Sequence, residues 1–214
     1  MKKIIILFTV LISSINIFPQ WGTGAVKLGY FNPSATDGGF IIGYEGGRFV
    51  DKHLSWHWGI DWFHRDYIDR KLVSEFNEFF PGAGGELNEL RASTNIHDFP
   101  LMVGLTARFP MNNRSEFYVT GSVGAEVLLI NYRNFQNPDE DDFEAAFDFN
   151  WRAGMGAAFA LGPRSEIFGE ISYHQSNPSW QYEIDGTIGF NKRVLERSYD
   201  MSGFMTRVGF RFYY

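Results

Sequence analysis

The chain has 214 residues, a formal net charge of −6, 23 glycines and no cysteine, and 18% of its residues are aromatic. This length corresponds to one domain, and the negative charge disfavours nucleic acid as a partner because a nucleic-acid-binding face is basic. The lack of cysteine excludes disulfide bonds and a cysteine-linked lipid, while the glycine-rich and aromatic composition is typical of an all-β protein.

The N-terminus has the features of a secretion signal. Lys2 and Lys3 precede a short, interrupted apolar run, Ile4 to Phe18. A positively charged start followed by a short apolar segment is typical of a signal peptide. The apolar run is shorter than the stretch that a transmembrane helix usually needs. The sequence therefore predicts a signal peptide over residues 1–20 and a single β-barrel domain over residues 21–214.

Downstream of this segment, apolar residues alternate with small or charged residues. A period of two places the two sets on opposite faces of a strand. In the last strand, for example, Val208, Phe210 and Phe212 alternate with Arg207 and Arg211. The alternation predicts eight strands, which cover residues 23–31, 38–47, 53–65, 96–109, 115–130, 147–161, 165–174 and 204–214.

The connections between these strands differ in length in a regular way. Those after the even strands are short and contain turn formers, at 47–52, 110–114 and 162–164. Those after the third, fifth and seventh strands are long, at 66–95, 131–146 and 175–200. This layout predicts an eight-stranded antiparallel up-and-down transmembrane β-barrel with short periplasmic turns and long extracellular loops. Closure of the barrel is required because unpaired backbone groups cannot face hydrocarbon.

Aromatic residues on the apolar face lie near the strand ends, where amphipathic rings would form girdles at the two water boundaries. The predicted girdle residues are Tyr30, Trp62, Phe99, Trp151 and Phe204 near the long loops, with Phe109, Phe117, Phe212 and Tyr214 near the short turns.

The opposite face of the strands carries charges whose signs nearly alternate around the barrel. Buried charges must pair, and an eight-stranded barrel has room only for its own side chains. We therefore predict two ion-pair clusters in the lumen, one joining Glu126 to Arg152 and one built around Glu170, Arg207 and Arg211. The predicted lumen network comprises Lys27, Glu45, Asp61, Arg108, Glu126, Arg152, Glu170, Arg207 and Arg211. Such a network either plugs the barrel or, by exchange of ion-pair partners, gates a narrow path.

Two stretches resemble the small outer-membrane β-barrel proteins of the OmpA/OmpX-like and PorT-like porin-family group. They are His97 to Gly104, with an acidic-apolar-Pro-Leu pattern, and Phe117 to Gly124, with a glycine-rich pattern. The terminal Tyr214 resembles the signal by which such chains are recognised for insertion. The resemblance implies a bacterial outer-membrane location, contact with lipid and lipopolysaccharide, recognition by the barrel-assembly machinery through the last strand, and no shared catalytic residues.

Two loops carry further signals. Within 66–95, the spacing of apolar residues predicts a short helix over residues 71–80 that caps the barrel mouth. The acidic run 139–142 lacks the glycine and the distal glutamate of a calcium loop and is predicted to be a solvated loop. His53 and His57 lie about 13 Å apart on a strand, too far to share a metal. We therefore expect no metal and no cofactor.

One stretch raises the question of catalysis. His174 to Asn177 resembles the His-x-Ser-Asn stretch of outer-membrane lipid A deacylases, but the alternation turns His174 and Ser176 inward and no carboxylate lies at a suitable spacing. The favoured hypothesis is a non-catalytic outer-membrane barrel with a structural or surface-interaction role, whose extracellular partner the sequence does not identify. A narrow small-solute channel is the alternative. A lipid A-modifying enzyme and a soluble lipocalin-like carrier, which would need its apolar face inside, are further hypotheses.

Overall fold

The structure is a computed structural model that describes residues 22–68, 93–133, 141–184 and 193–214. The predicted signal peptide and the predicted helix over residues 71–80 lie outside the described residues and stay predictions. No helix in the described part of the chain is long and apolar enough to cross a membrane.

Eight antiparallel strands form a closed barrel, which confirms the predicted fold. Each strand pairs with the next along the wall, β7 pairs with β10, and β10 pairs with β1, so the wall has no free edge. The wall strands are β1 (Gly22–Pro33), β2 (Gly39–Phe49), β3 (Leu54–Ile68), β4 (Ser93–Pro110), β5 (Ser115–Arg133), β6 (Asp141–Gly162), β7 (Ser165–Gln175) and β10 (Gly203–Tyr213).

Two elements differ from the sequence prediction. The connection between β7 and β10 contains a hairpin of two strands, β8 (Ser179–Ile184) and β9 (Arg193–Ser198), where the sequence analysis expected only a loop. The hairpin is joined to the wall through a pairing of Ser179 with Phe147. In addition, β6 begins at Asp141, so the second half of the acidic run 139–142 belongs to a strand rather than to a solvated loop.

The strands differ in how far they extend. β4, β5 and β6 contain 18, 19 and 22 residues, whereas about 9–11 residues suffice to cross a bilayer. The connections at one end of the barrel are short, at 50–53, 111–114 and 163–164. We call this the short-turn end and the opposite one the long-loop end. The long strands project at the long-loop end.

The turn between β2 and β3 is organised by Asp51. Its Oδ1 accepts hydrogen bonds from the backbone N–H groups of His53 at 2.6 Å and Leu54 at 2.8 Å. These bonds favour the charged carboxylate and lower the pKa of Asp51 below its usual value of 3.8. Because the folded-state pKa is depressed, the stabilisation is present above the unfolded-state pKa and is lost as the pH falls through the folded-state pKa.

We expect Asp51→Ala to lower barrel stability slightly at neutral pH and to leave stability unchanged below the folded-state pKa of Asp51. Urea unfolding of both proteins across the acidic range measures this difference. A constant difference between the two proteins down to the most acidic conditions would contradict the assignment.

The wall has opposite polarity on its two faces. The outward face is apolar: Leu28 is 53% exposed and Val208 is 62% exposed, and both stand on strands whose alternate side chains are buried charges. Inside, Lys27 and Arg207 are 5% and 3% exposed. The alternation along the sequence therefore separates an apolar outer surface from a polar interior.

Glycines on the inner face allow the strands and their side chains to lie close together. A Cβ atom at Gly124 would lie 1.8 Å from the backbone oxygen of Leu101, whereas one at Gly121, on the outward face of the same strand, meets nothing within 4 Å. Backbone cannot yield as a flexible side chain can, so overpacking at this site is costly.

Gly124→Ala is therefore expected to destabilise the barrel by about 1–3 kcal/mol, and Gly121→Ala to be close to neutral. Urea unfolding midpoints measure both. Equal midpoints for the two variants would contradict the inward placement of Gly124.

Candidate functional site in the barrel lumen

The lumen is filled by side chains in layers. At the long-loop end, buried apolar side chains form a layer across the mouth, which we call the apolar plug. The sequence did not lead us to predict it, because the inner face was expected to hold mostly small and charged residues. The plug consists of Phe31, Ile41, Phe63, Ile96, Leu128, Ile130, Ala146, Tyr199, Met201 and Met205.

Part of the plug comes from the segment that precedes β10. Backbone N–H groups of Ser34 and Ala35 donate hydrogen bonds to the backbone oxygens of Ser202 and Asp200, at 2.9 and 2.8 Å. The Ser202 side chain donates to the backbone oxygen of Ser176 at 3.1 Å. These bonds hold residues 199–202 against the mouth, so that Met201 is fully buried.

Below the plug lies a continuous chain of ion pairs in which positive and negative side chains alternate, which we call the ion-pair chain. It contains five cations and five anions, so its formal charge is zero. In order of contact the members are Arg152, Asp61, Arg207, Glu170, Lys27, Glu45, Arg211, Glu166, Arg108 and Glu116.

The central contacts of the ion-pair chain are buried. Arg207 Nη1 lies 3.0 Å from Asp61 Oδ2, and its Nη2 contacts Glu170. Lys27 pairs with Glu45 and lies 3.8 Å from Glu170. These pairings join residues on different strands across the lumen, so the chain ties together opposite sides of the wall.

One predicted pairing is wrong. Glu126 and Arg152 were expected to form an ion pair, but Arg152 Nη1 contacts Asp61 Oδ2 at 2.5 Å, and Glu126 Oε2 lies 2.6 Å from His174 Nε2. The physical reason is the length of the arginine side chain, because in a narrow barrel it spans the lumen and contacts a partner on the opposite side. Arg152 therefore belongs to the same connected chain as Glu170, Arg207 and Arg211 instead of to a second ion-pair cluster, and Glu126 lies in a separate polar cluster with His174.

Sequence analysis missed two members of the ion-pair chain, Glu166 and Glu116. Glu166 contacts Arg211 and lies 3.4 Å from Arg108 Nη1, and it also accepts a 2.5 Å hydrogen bond from the Tyr213 hydroxyl. The strand pattern does indicate Glu166: it lies four residues before the inward-facing Glu170 on β7, and residues an even number apart on a strand point to the same face.

A second polar group lies between the ion-pair chain and the plug, and we call it the acid–histidine cluster. It consists of Asp98, Glu126, Asn150 and His174, all at 0% exposure. Glu126 Oε2 accepts from His174 Nε2 at 2.6 Å and from Asn150 Nδ2 at 3.3 Å. The Asp98 carboxyl lies beside the Glu126 carboxyl, close enough for a hydrogen bond if one of the two carries a proton, and no other group donates a hydrogen bond to either Asp98 oxygen.

The cluster corrects the expectation that no carboxylate orients His174, since Glu126 does so from β5. An acid, a histidine and a nearby serine are the groups of acyl-transfer catalysis. However, His174 Nδ1 and Ser176 Oγ are both buried without a hydrogen-bond partner, so the histidine does not contact the serine. The histidine is also enclosed beneath the plug, where its ring packs edge-on against Phe31 at 5.8 Å.

The space left between these side chains is small. A cavity lined by residues of the ion-pair chain, among them Lys27, Asp61 and Arg207, has about 20 Å³ of free volume. One water needs at least about 10–15 Å³ on this measure, so the cavity holds about one water molecule. Within the described residues, no group of three His, Asp or Glu side chains is arranged to hold a metal ion.

All of the predicted girdle residues lie on the outward face. Phe109 and Phe117 are neighbours near the short-turn end, with ring centroids 6.3 Å apart, and Phe212 and Tyr214 are 6.0 Å apart. Near the long-loop end, Tyr173 connects Trp151, at 5.9 Å, with Phe204, at 5.1 Å. The rings therefore form contiguous patches at both ends of the apolar surface.

No protein-family model and no curated protein sequence matches this chain. Its fold is similar to that of three solved structures. A major outer membrane protein from Thermus thermophilus has a TM-score of 0.55 and 13% identity, covering 92% of this chain and 100% of that one. OprG from Pseudomonas aeruginosa has a TM-score of 0.53 and 11% identity, covering 91% and 94%. Neisserial surface protein A has a TM-score of 0.51 and 11% identity, covering 90% and 96%.

Proposed function

We propose that this chain is a non-catalytic protein of the bacterial outer membrane with a closed lumen and a structural or surface-interaction role. The observation that carries the proposal is the polarity of the wall, which is apolar outside and charged inside. A soluble carrier with the same strand number would have the reverse arrangement. The three similar structures, described as outer-membrane or surface proteins, support the same location.

The proposal includes the remaining expectations from the sequence. Residues 1–20 direct the chain through the inner membrane, and β10 presents the signal that the barrel-assembly machinery recognises. The outward surface contacts outer-membrane lipid and lipopolysaccharide, and the long-loop end faces the outside of the cell. Within this class, the OmpA/OmpX-like and PorT-like group is the family we favour, on the resemblance of His97 to Gly104 and Phe117 to Gly124.

The closed lumen follows from two barriers in series. A solute that enters from the long-loop end meets the apolar plug, and a solute that enters from the other end meets the ion-pair chain, whose cavity is only water-sized. Hydration of the lumen would therefore require movement of several packed side chains at once. This argument favours a closed barrel over a narrow small-solute channel.

A pair of site-specific labels tests the location of the wall. Because the chain has no cysteine, a single introduced cysteine carries the label without ambiguity. A spin label at Val208→Cys, which points outward, is expected to be accessible to oxygen dissolved in lipid and shielded from a water-soluble quencher. The control is Asp37→Cys, an exposed position in the connection between β1 and β2, where the quencher should reach the label. Quenching from water at position 208 would refute the membrane assignment.

Planar-bilayer recording tests the closed lumen. The purified full chain is expected to produce no regular current steps, while a porin with a water-filled lumen serves as the positive control. Regular steps of constant size at neutral pH would contradict the closed lumen and establish the channel function instead.

A further inference from the structure

The acid–histidine cluster contains several buried acceptor oxygens that have no hydrogen-bond donor. Both oxygens of Asp98, Oε1 of Glu126 and Oδ1 of Asn150 are buried without a hydrogen-bond partner, and all three residues are at 0% exposure. Buried polar atoms in native proteins are almost always paired. A set of orphaned acceptor oxygens in one cluster indicates that a donor or a cation occupies the space between them.

No cation of the described lumen forms a hydrogen bond with Asp98, although Arg152 Nε and Nη2 also lack a hydrogen-bond partner. The five cations of the ion-pair chain are matched by its five anions, and Arg152, which attracts Asp98, already pairs with Asp61 at 2.5 Å. Two facing ionised carboxylates would therefore bury two uncompensated negative charges, which strongly favours neutralisation of one of them. The described residues offer no three-ligand metal site.

We propose that Asp98 and Glu126 share one proton and that, together with His174, they form a buried proton-binding site behind the apolar plug. A hydronium ion transfers its proton to the Asp98 carboxylate, which leaves a carboxylic acid and one water. The acid O–H then donates a hydrogen bond to Glu126 Oε1. Glu126 Oε2 keeps its bonds from His174 Nε2 and Asn150 Nδ2, at 2.6 and 3.3 Å.

The groups that surround the site determine its charge. Asp98 stands on β4 and interacts electrostatically with Glu126 on β5, Arg152 on β6 and Asp61 on β3, while His174 on β7 contacts Glu126. With one proton on the carboxyl pair and a neutral imidazole, the site holds one negative charge. A second proton has a defined place, His174 Nδ1, which has no hydrogen-bond partner.

The proton-binding site extends the proposal of a closed lumen and depends on it. Phe63 pairs across the strands with Asp98, and Phe31 packs against His174, so the plug is in direct contact with the proton site. Loss of the shared proton would leave two carboxylates that need water, immediately beneath an apolar layer that excludes it. The shared proton thus allows the plug and the polar lumen to be packed together.

Infrared spectroscopy of the full chain in lipid bilayers at neutral pH tests the proposal directly. The wild-type protein is expected to show the carbonyl-stretching band of a protonated carboxylic acid, which ionised surface carboxylates do not produce. The band is expected to be lost in Asp98→Asn, which keeps the shape of the side chain. It is expected to be unchanged in the control Asp37→Asn, where the side chain is 83% exposed.

A second variant keeps the test decisive if Asp98→Asn does not fold. In Glu126→Gln, Asp98 faces an amide that donates to it, so the band is expected to shift or disappear. A wild-type protein without the band overturns the proposal, as does a band that is unaltered in both variants. A band that appears only after treatment with a chelator overturns it in favour of a metal ion. The infrared band tests the proton-binding site, whereas current in planar bilayers tests the closed lumen. The two proposals can therefore fail separately.

Discussion

Arg207→Met is expected to lower the free energy of unfolding by about 3–5 kcal/mol, the usual cost of removing one partner from a buried ion pair. Arg207 lies at the centre of the ion-pair chain, is 3% exposed and contacts both Asp61 and Glu170. Methionine fills a similar volume without the charge, so the variant isolates the electrostatic loss. Two carboxylates would then be left in the lumen with one fewer cation.

Urea unfolding of the barrel from lipid vesicles, followed by tryptophan fluorescence, measures this loss. Arg114→Met is the matched control, because Arg114 lies in an exposed turn and its replacement is expected to cost less than about 1 kcal/mol. The double variant Arg207→Met with Glu170→Gln should recover part of the stability, since one unpaired carboxylate is removed. If the single and double variants are equally unstable, the loss does not arise from the unpaired carboxylates.

Phe63→Ala is expected to destabilise the barrel by about 3–5 kcal/mol, the range found when a buried phenylalanine is truncated. Phe63 is 0% exposed in the apolar plug, and its ring packs edge-on against Phe31 with centroids 5.2 Å apart. Truncation leaves a cavity that the rigid wall around it cannot fill by collapse.

The matched control for Phe63→Ala is Phe40→Ala. Phe40 is 78% exposed on the outward face, near the same end of the barrel, so its truncation leaves no enclosed cavity. Thermal unfolding in the same vesicles compares the two variants. A loss at position 40 as large as the loss at position 63 would mean that the plug is not a packed core.

The sequence determined the wall more completely than the lumen, for a physical reason. Over most of their length the wall strands alternate between an apolar outward face and the lumen, so strand number, facing and closure follow from local patterning. Pairing inside the lumen depends instead on strand stagger and on the reach of long side chains. Arg152 was placed correctly on the inner face, but its partner Asp61 lies on the other side of the barrel, which no local pattern encodes.

The plug was missed because the alternation fades at the long-loop end. Phe31 has the same parity as Lys27 along β1, and Met205 the same parity as Arg207 along β10, so both point inward although they are apolar. A strand that is apolar on both faces indicates burial on both sides. That rule, applied to the strand ends, would have predicted an apolar layer inside the barrel.

The pairing of β1 with β10 constrains how the protein is made. Thr23 pairs with Tyr213, and the backbone groups of Gly22 and Tyr214 exchange hydrogen bonds at 2.8 and 2.9 Å. The first wall strand therefore has no partner on one side until the ribosome has finished the last one. A nascent or truncated chain would carry two unsatisfied edges, and such edges aggregate. Closure of the wall therefore requires β10, the last wall strand along the chain, to be present.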